Sequence, residues 1–143
     1  MPHKPVLQAL VLADYVYVDA HTGKKVIAGT FNELQAATFP TQFPRVTYAY
    51  LCLADLRGQT EVDLRYVDLS SGEVLMQLEH VPVDASSPLE STELIVEVPE
   101  FPMPQPGSFA LEVHCGGEML GFLRITVRQA KEDAEEGFGP GED

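Results

Sequence analysis

The chain has no tryptophan, and among its 143 residues there are only two cysteines, four histidines and nine lysines and arginines. Each scarcity excludes something. Nine basic residues against 22 acidic ones leave a formal net charge of −13, a sign that repels nucleic-acid phosphates and anionic lipid headgroups. Neither a nucleic acid nor a membrane is expected as a partner. Cys52 and Cys115 are far apart and follow no CxxC or Cys/His spacing, which argues against a zinc site and against a disulfide-stapled scaffold. Two buried thiols are the preferred reading, with a cross-sheet bridge as the alternative in an oxidising compartment. No apolar run is long enough to cross a bilayer: Val6 to Ala13 is cut by Asp14 and followed by no small-residue cleavage site. A cytoplasmic location is expected. His3, His21, His80 and His114 have no metal-ligand spacing, and His80 is expected half-buried on one face with Met76 and Leu78.

What is present is an ordinary globular composition, 45% hydrophobic and 22% charged, in a length suited to one domain with its own core. The body is placed at residues 1–129. The segment 130–143 is rich in acid, Gly and Pro, has Phe138 as its one large apolar residue, and is expected to be a disordered tail. Without the six acids and one lysine of 131–143, 16 acids still face 8 bases, so the acidity belongs to the body.

Period-two patterning dominates. Val6 to Asp19 reads as a long first strand ending at the turn His21-Thr22-Gly23, and Lys24 to Ala36 as its antiparallel return, with Gly29 marking a bulge or a close approach. Phe39-Pro40 and Phe43-Pro44 punctuate a rim loop whose phenylalanines plug the core. From Arg45 to Ala54 both parities are apolar, which suits a central strand covered on both sides or facing a partner. Thr60 to Leu69 alternates until its phase slips at Val67, as one bulge residue would cause. Val74, Met76 and Leu78 share a strand expected to break at Pro82, before a crossover loop. Leu94, Val96 and Val98 form another strand, after which the prolines from Pro99 to Pro106 make a rim from which Phe101 and Met103 pack inward. Phe109 to Cys115, Gly116-Gly117 and Glu118 to Arg128 read as a hairpin. Seven or eight strands without helical periodicity predict an all-β, two-layer antiparallel β-sandwich.

The segments LADYVYVDAHTGKKVIAGTFNEL, FPTQFPR and PGSFALEVHCGGEMLG, in that order, resemble an uncharacterised bacterial family of small β-sandwich domains of unknown function. The resemblance covers residues 5 to 129. It implies an immunoglobulin-like or C2-like sandwich and assigns neither an activity nor catalytic residues.

Each catalytic template lacks a required partner. Ser70, Ser71, Ser86, Ser87, Ser91 and Ser108 sit at turns or strand starts and none lies in a GxSxG elbow, while His114 and Cys115, as strand neighbours, point to opposite faces. Neither an enzyme nor a cofactor is expected. Asp14, Asp19, Asp55, Asp68 and Asp84 fall near strand ends and raise a calcium-binding rim as an alternative, although consecutive turns alternate between the two ends of a meander. Asp14, inside an apolar run, must be paired or hydrogen-bonded, with capping of backbone preferred to a polar pocket. Tyr15, Tyr17, Tyr48 and Tyr50 line up at period two. They form either the inter-sheet core, the preferred reading, or an outward aromatic stripe that binds a partner. A non-enzymatic protein-binding or scaffold module is the leading expectation, its partner another protein or a second copy joined along a strand edge. The alternative is a small-ligand or calcium-binding sandwich.

Overall fold

The computed structural model describes residues 4–84, 87 and 89–130. The tail placed at 130–143 lies outside them apart from Ala130, whose N–H donates to the Ala36 carbonyl at 2.8 Å. The described strands are β1 (Val6–Val18), β2 (Lys25–Thr30), β3 (Glu33–Ala36), β4 (Thr41–Gln42), β5 (Thr47–Ala54), β6 (Gln59–Asp68), β7 (Val74–Asp84), β8 (Thr92–Val98), β9 (Pro102–Met103), β10 (Gly107–Cys115) and β11 (Glu118–Gln129). They form a four-stranded sheet, β2-β1-β5-β8, a five-stranded sheet, β3-β11-β10-β6-β7, and the small pair β4-β9. One core joins the two large sheets: Leu12, Ala49, Leu51, Leu53, Val96 and Val98 on one side, Leu64, Tyr66, Phe109, Leu111, Val113 and Ile125 on the other. The fold is all-β.

The strands exceed the seven or eight read from the sequence, partly because β4 and β9 span two residues each and partly because one anticipated strand is two. The return after the first turn does not run on as a single strand. The Phe31 N–H still donates to Leu12 of β1 at 3.0 Å, while the carbonyl of the next residue, Asn32, accepts from Thr126 of β11 at 2.9 Å. Within one residue step the chain leaves one sheet for the other, and β3 then pairs parallel to β11. Local patterning is blind to such a switch, because Val26, Ile27, Phe31 and Leu34 look alike whichever sheet receives them.

Several expectations match their environments. Phe101 and Met103 are fully buried, and the Tyr66 ring lies 4.8 Å from that of Phe101 and 5.4 Å from that of Phe109. The phase slip in β6 is a register shift between Tyr66 and Val67. The hairpin β10–β11 turns through Gly116 and Gly117, both at positive φ. Pro82, by contrast, does not end its strand: β7 runs to Asp84 as a sheet edge, where a residue without an N–H is tolerated. His80 is exposed, not half-buried with Met76 and Leu78: it stands at a positive φ of 62° and its ring meets Glu61 at 2.9 Å.

The β1–β2 ribbon has a bent course. Ala13 is the last β1 residue paired with β5, and among the described residues the strand continues to Val18 hydrogen-bonded to β2 alone. Lys25 stands opposite Val18, whereas Glu93 stands opposite Cys52, which stands opposite Ala9. Ala9 and Val18 would lie about 30 Å apart along an extended strand. Yet Lys25 Nζ and Glu93 Oε1 are 3.1 Å apart. The ribbon therefore folds back over the outer face of the four-stranded sheet. The bend falls near Gly29, at φ 77°, and a Cβ there would stand 2.5 Å from Asp14 Oδ2.

Candidate functional site

Antiparallel partners share a face, so the register assigns the outer side of the four-stranded sheet. Its rows are Ala13–Tyr48–Glu97, Val11–Tyr50–Ile95 and Ala9–Cys52–Glu93, while the inner side takes Leu10–Leu51–Leu94 and Leu12–Ala49–Val96. Tyr48 and Tyr50 thus face away from the core. Tyr15 and Tyr17 project from the ribbon and are 64% and 54% exposed, whereas Val16 and Ile27, which share the face of Lys25, are half-buried. The preferred reading of these four tyrosines as inter-sheet core is overturned. Period-two spacing correctly grouped them but carries no sign that says which side is inside.

Two clusters organise this face. Tyr15 and Tyr48 stack with ring centroids 6.3 Å apart. Farther along, the Tyr50 hydroxyl donates to Glu93, whose other oxygen meets Lys25. Partial burial, and then this hydrogen bond to a carboxylate, push the Tyr50 phenol well above the ordinary tyrosine range. The hydrogen bond from Tyr50 and the contact with Lys25 hold the Glu93 carboxyl below its ordinary range. Gln8 completes the surface: its Oε1 accepts from the Ser91 hydroxyl at 2.8 Å and from the Cys52 thiol at 3.4 Å.

Asp14 belongs to the bend. Its carboxylate pairs with the Arg45 guanidinium, so the residue is paired, as an acid in an apolar run must be, but by a side chain and not by backbone capping. Arg45 in turn lies 4.8 Å over the Phe43 ring, and Phe43 stacks on Phe31 at 6.0 Å. That partnership was not legible, since 31 residues separate Asp14 from Arg45.

The remaining titratable groups are dispersed. Among the described residues no three His, Cys, Asp or Glu side chains gather in a metal-binding arrangement. Asp68 is buried and spoken for: its oxygens accept from the Ser70 hydroxyl at 2.7 Å and from Gln105 Nε2 at 2.9 Å, and these bonds hold its carboxyl below the ordinary range. Both cysteines are free and half-buried, Cys52 on the outer face and Cys115 beside the Thr60 hydroxyl at 3.7 Å. His114 pairs with Glu112 at 2.8 Å and leaves Cys115 alone. Sequence reasoning overlooked the outer face of the five-stranded sheet, where Phe122 is 53% exposed opposite Glu112. Its place in the alternation of β11 was the available signal. An open groove of about 610 Å³ lies at one rim between Gln59, Glu61, Pro82 and Gly116.

Against known proteins, residues 8–128 match a family of unknown function, DUF6941. The chain belongs to DUF6941. The match takes in β1 to β11 nearly complete and supplies no activity. A comparison with curated proteins finds no match. Among solved structures, this DUF6941 chain is similar to an immunoglobulin-like protein from Pseudomonas aeruginosa, at 14% identity over 88% of this chain and 98% of that one, with a TM-score of 0.43. It is also similar to the Pseudomonas fluorescens alkylpurine DNA glycosylase AlkC bound to DNA containing an abasic site analog, at 10% identity and a TM-score of 0.39. That likeness covers 83% of this chain and 30% of the glycosylase. Among the described residues of this chain no helix is long and apolar enough to cross a membrane.

Proposed function

We propose that this DUF6941 chain is a non-enzymatic binding module that holds another protein against the outer face of its four-stranded sheet. The observation that carries the reading is the exposure of Tyr15 and Tyr17 on a ribbon bent over that face, with Tyr48 and Tyr50 beside it. Exposed tyrosines offer large, stiff, amphipathic contact area at low entropic cost, and such side chains carry a large share of binding energy at protein interfaces. The surrounding face supplies polar and charged groups, Glu93, Lys25, Gln8 and Ser91, suited to a hydrogen-bonding rim.

The test compares the wild type with a Tyr15→Ser/Tyr17→Ser variant. Both side chains are exposed, so the variant should fold, with its melting temperature lowered only by loss of the Tyr15–Tyr48 stack. Each protein is used as bait in the same lysate, with bound proteins quantified by mass spectrometry, and light scattering reports any self-association. A partner, or a second copy, retained by the wild type and lost from the variant supports the reading. Identical retention by both would sink it.

A further inference from the structure

Four strand edges end the two large sheets, and three are visibly guarded. β7 carries Pro82 and the positive-φ residue His80, β3 is four residues long, and β2 contains Gly29 and is bent with the ribbon. These are the devices by which sheets avoid pairing with strangers. β8 has none of them. Its seven residues pair with β5 without a register shift, contain no proline and no positive φ, and among the described residues no strand lies on its other side. Among the described residues, the backbone N–H and C=O groups on that edge have no strand partner.

What guards β8 is charge. On its outer side it presents Glu93, Ile95 and Glu97 at period two. Glu93 is engaged by Tyr50 and Lys25, and Glu97 has no ion-pair partner among the described residues. A second copy would be repelled: the antiparallel register that pairs the whole strand with itself centres on Ile95 and sets Glu93 opposite Glu97 twice. Like charges directly opposite destabilise a strand pair, and opposite charges stabilise it. The same arrangement therefore admits a basic strand while rejecting an acidic one.

Resting on the reading of this sheet as the binding side, we propose that the β8 edge takes up an extended basic segment of another protein as a further antiparallel strand. Main-chain hydrogen bonds would provide the pairing, and side chains in the pattern Lys/Arg-x-aliphatic-x-Lys/Arg would lie beside Glu97, Ile95 and Glu93. The net charge of −13 adds long-range attraction for such a segment.

The experiment uses the full chain and two fluorescein-labelled peptides, Thr-Lys-Val-Ile-Val-Lys-Thr and Thr-Glu-Val-Ile-Val-Glu-Thr, with binding read by anisotropy and β8 protection by amide hydrogen exchange. The lysine peptide should bind about tenfold or more tighter than the glutamate peptide, given two cross-strand charge pairs. Glu97→Lys, an exposed substitution, should collapse that preference to near parity, and bound peptide should slow exchange across Thr92–Val98. No binding, a preference that survives Glu97→Lys, or slowed exchange confined to other strands would each overturn the proposal. Tyr15→Ser/Tyr17→Ser should leave peptide binding unchanged. Failure at β8 with tyrosine-dependent capture intact would refute the edge alone, and the reverse outcome would refute the tyrosine face alone.

Discussion

Replacing Gly29 with alanine tests the bent ribbon at its tightest point. At φ 77° an alanine adopts a left-handed conformation that costs about 1–2 kcal/mol. Its Cβ would also stand 2.5 Å from Asp14 Oδ2, 3.1 Å from Cγ and 3.2 Å from Cβ, so rotating the carboxylate away gives partial relief and the strands must also shift. Moving Asp14 disturbs its pair with Arg45, an exposed interaction worth under about 1 kcal/mol. Gly29→Ala should therefore destabilise the protein by about 2–3 kcal/mol in urea denaturation. Two controls separate the components. Gly23→Ala, at φ 75° with nothing within 4 Å of its Cβ, should show the conformational cost alone, about 1–2 kcal/mol. In an Asp14→Ala background, Gly29→Ala should cost about 1 kcal/mol less than in the wild type, a coupling in the range seen for touching residues. Strict additivity of Asp14→Ala and Gly29→Ala would refute the packing of this carboxylate against the bend.

Three further outcomes are expected. Because the native Asp68 carboxyl is held below its ordinary range, the stability it contributes is full above that range and is lost as pH falls through the depressed value. Asp68→Asn should cost about 2 kcal/mol near neutral pH and flatten the acid limb of a stability curve; an unchanged limb would contradict this. Among the described residues the buried Tyr66 hydroxyl has no hydrogen-bond partner, so Tyr66→Phe should be neutral or stabilising by up to about 1 kcal/mol, and a clear loss in melting temperature would show that the hydroxyl is satisfied. Lys25→Ala should change global stability by less than about 1 kcal/mol yet speed amide exchange in β2, because it releases the ribbon from Glu93; unaltered exchange would mean that the ion pair does not hold the ribbon down.

Features that depend on near neighbours were legible in the sequence. The β10–β11 hairpin was written in Gly116-Gly117 between alternating runs, the β6 bulge in a phase slip, and the inward turn of Phe101 and Met103 in their isolation among prolines. Features that depend on distant chain segments were not. The switch at Phe31-Asn32 is decided by Leu12 and Thr126, the partner of Asp14 by the path from Gly29 to Arg45, and the environment of Tyr50 by Glu93 and Lys25. The candidate site sits between these cases. Tyr15, Tyr17, Tyr48 and Tyr50 were grouped by their spacing but given the wrong preferred side, Asp14 lies at the bend with Arg45, and Glu93, Lys25, Gln8 and Ser91 carried no local signal that would join them to the tyrosines. Alternation reports that residues share a face, and only the packing of the second sheet decides which face is wet.

The parallel pairing of β3 with β11 also has a consequence for the order in which the protein can assemble. Glu33–Ala36 emerges from the ribosome early, yet its hydrogen-bonding partners are Thr126–Gln129, some 90 residues later. Until β11 has been synthesised, Leu34 has no completed sheet edge to settle against, although it is fully buried in the finished fold. The first hairpin can form while translation proceeds, but closure of the five-stranded sheet is postponed to the last described strand. Pairings of such long sequence separation slow folding. During synthesis, a chaperone would meet this chain with its first strands formed and its core still open.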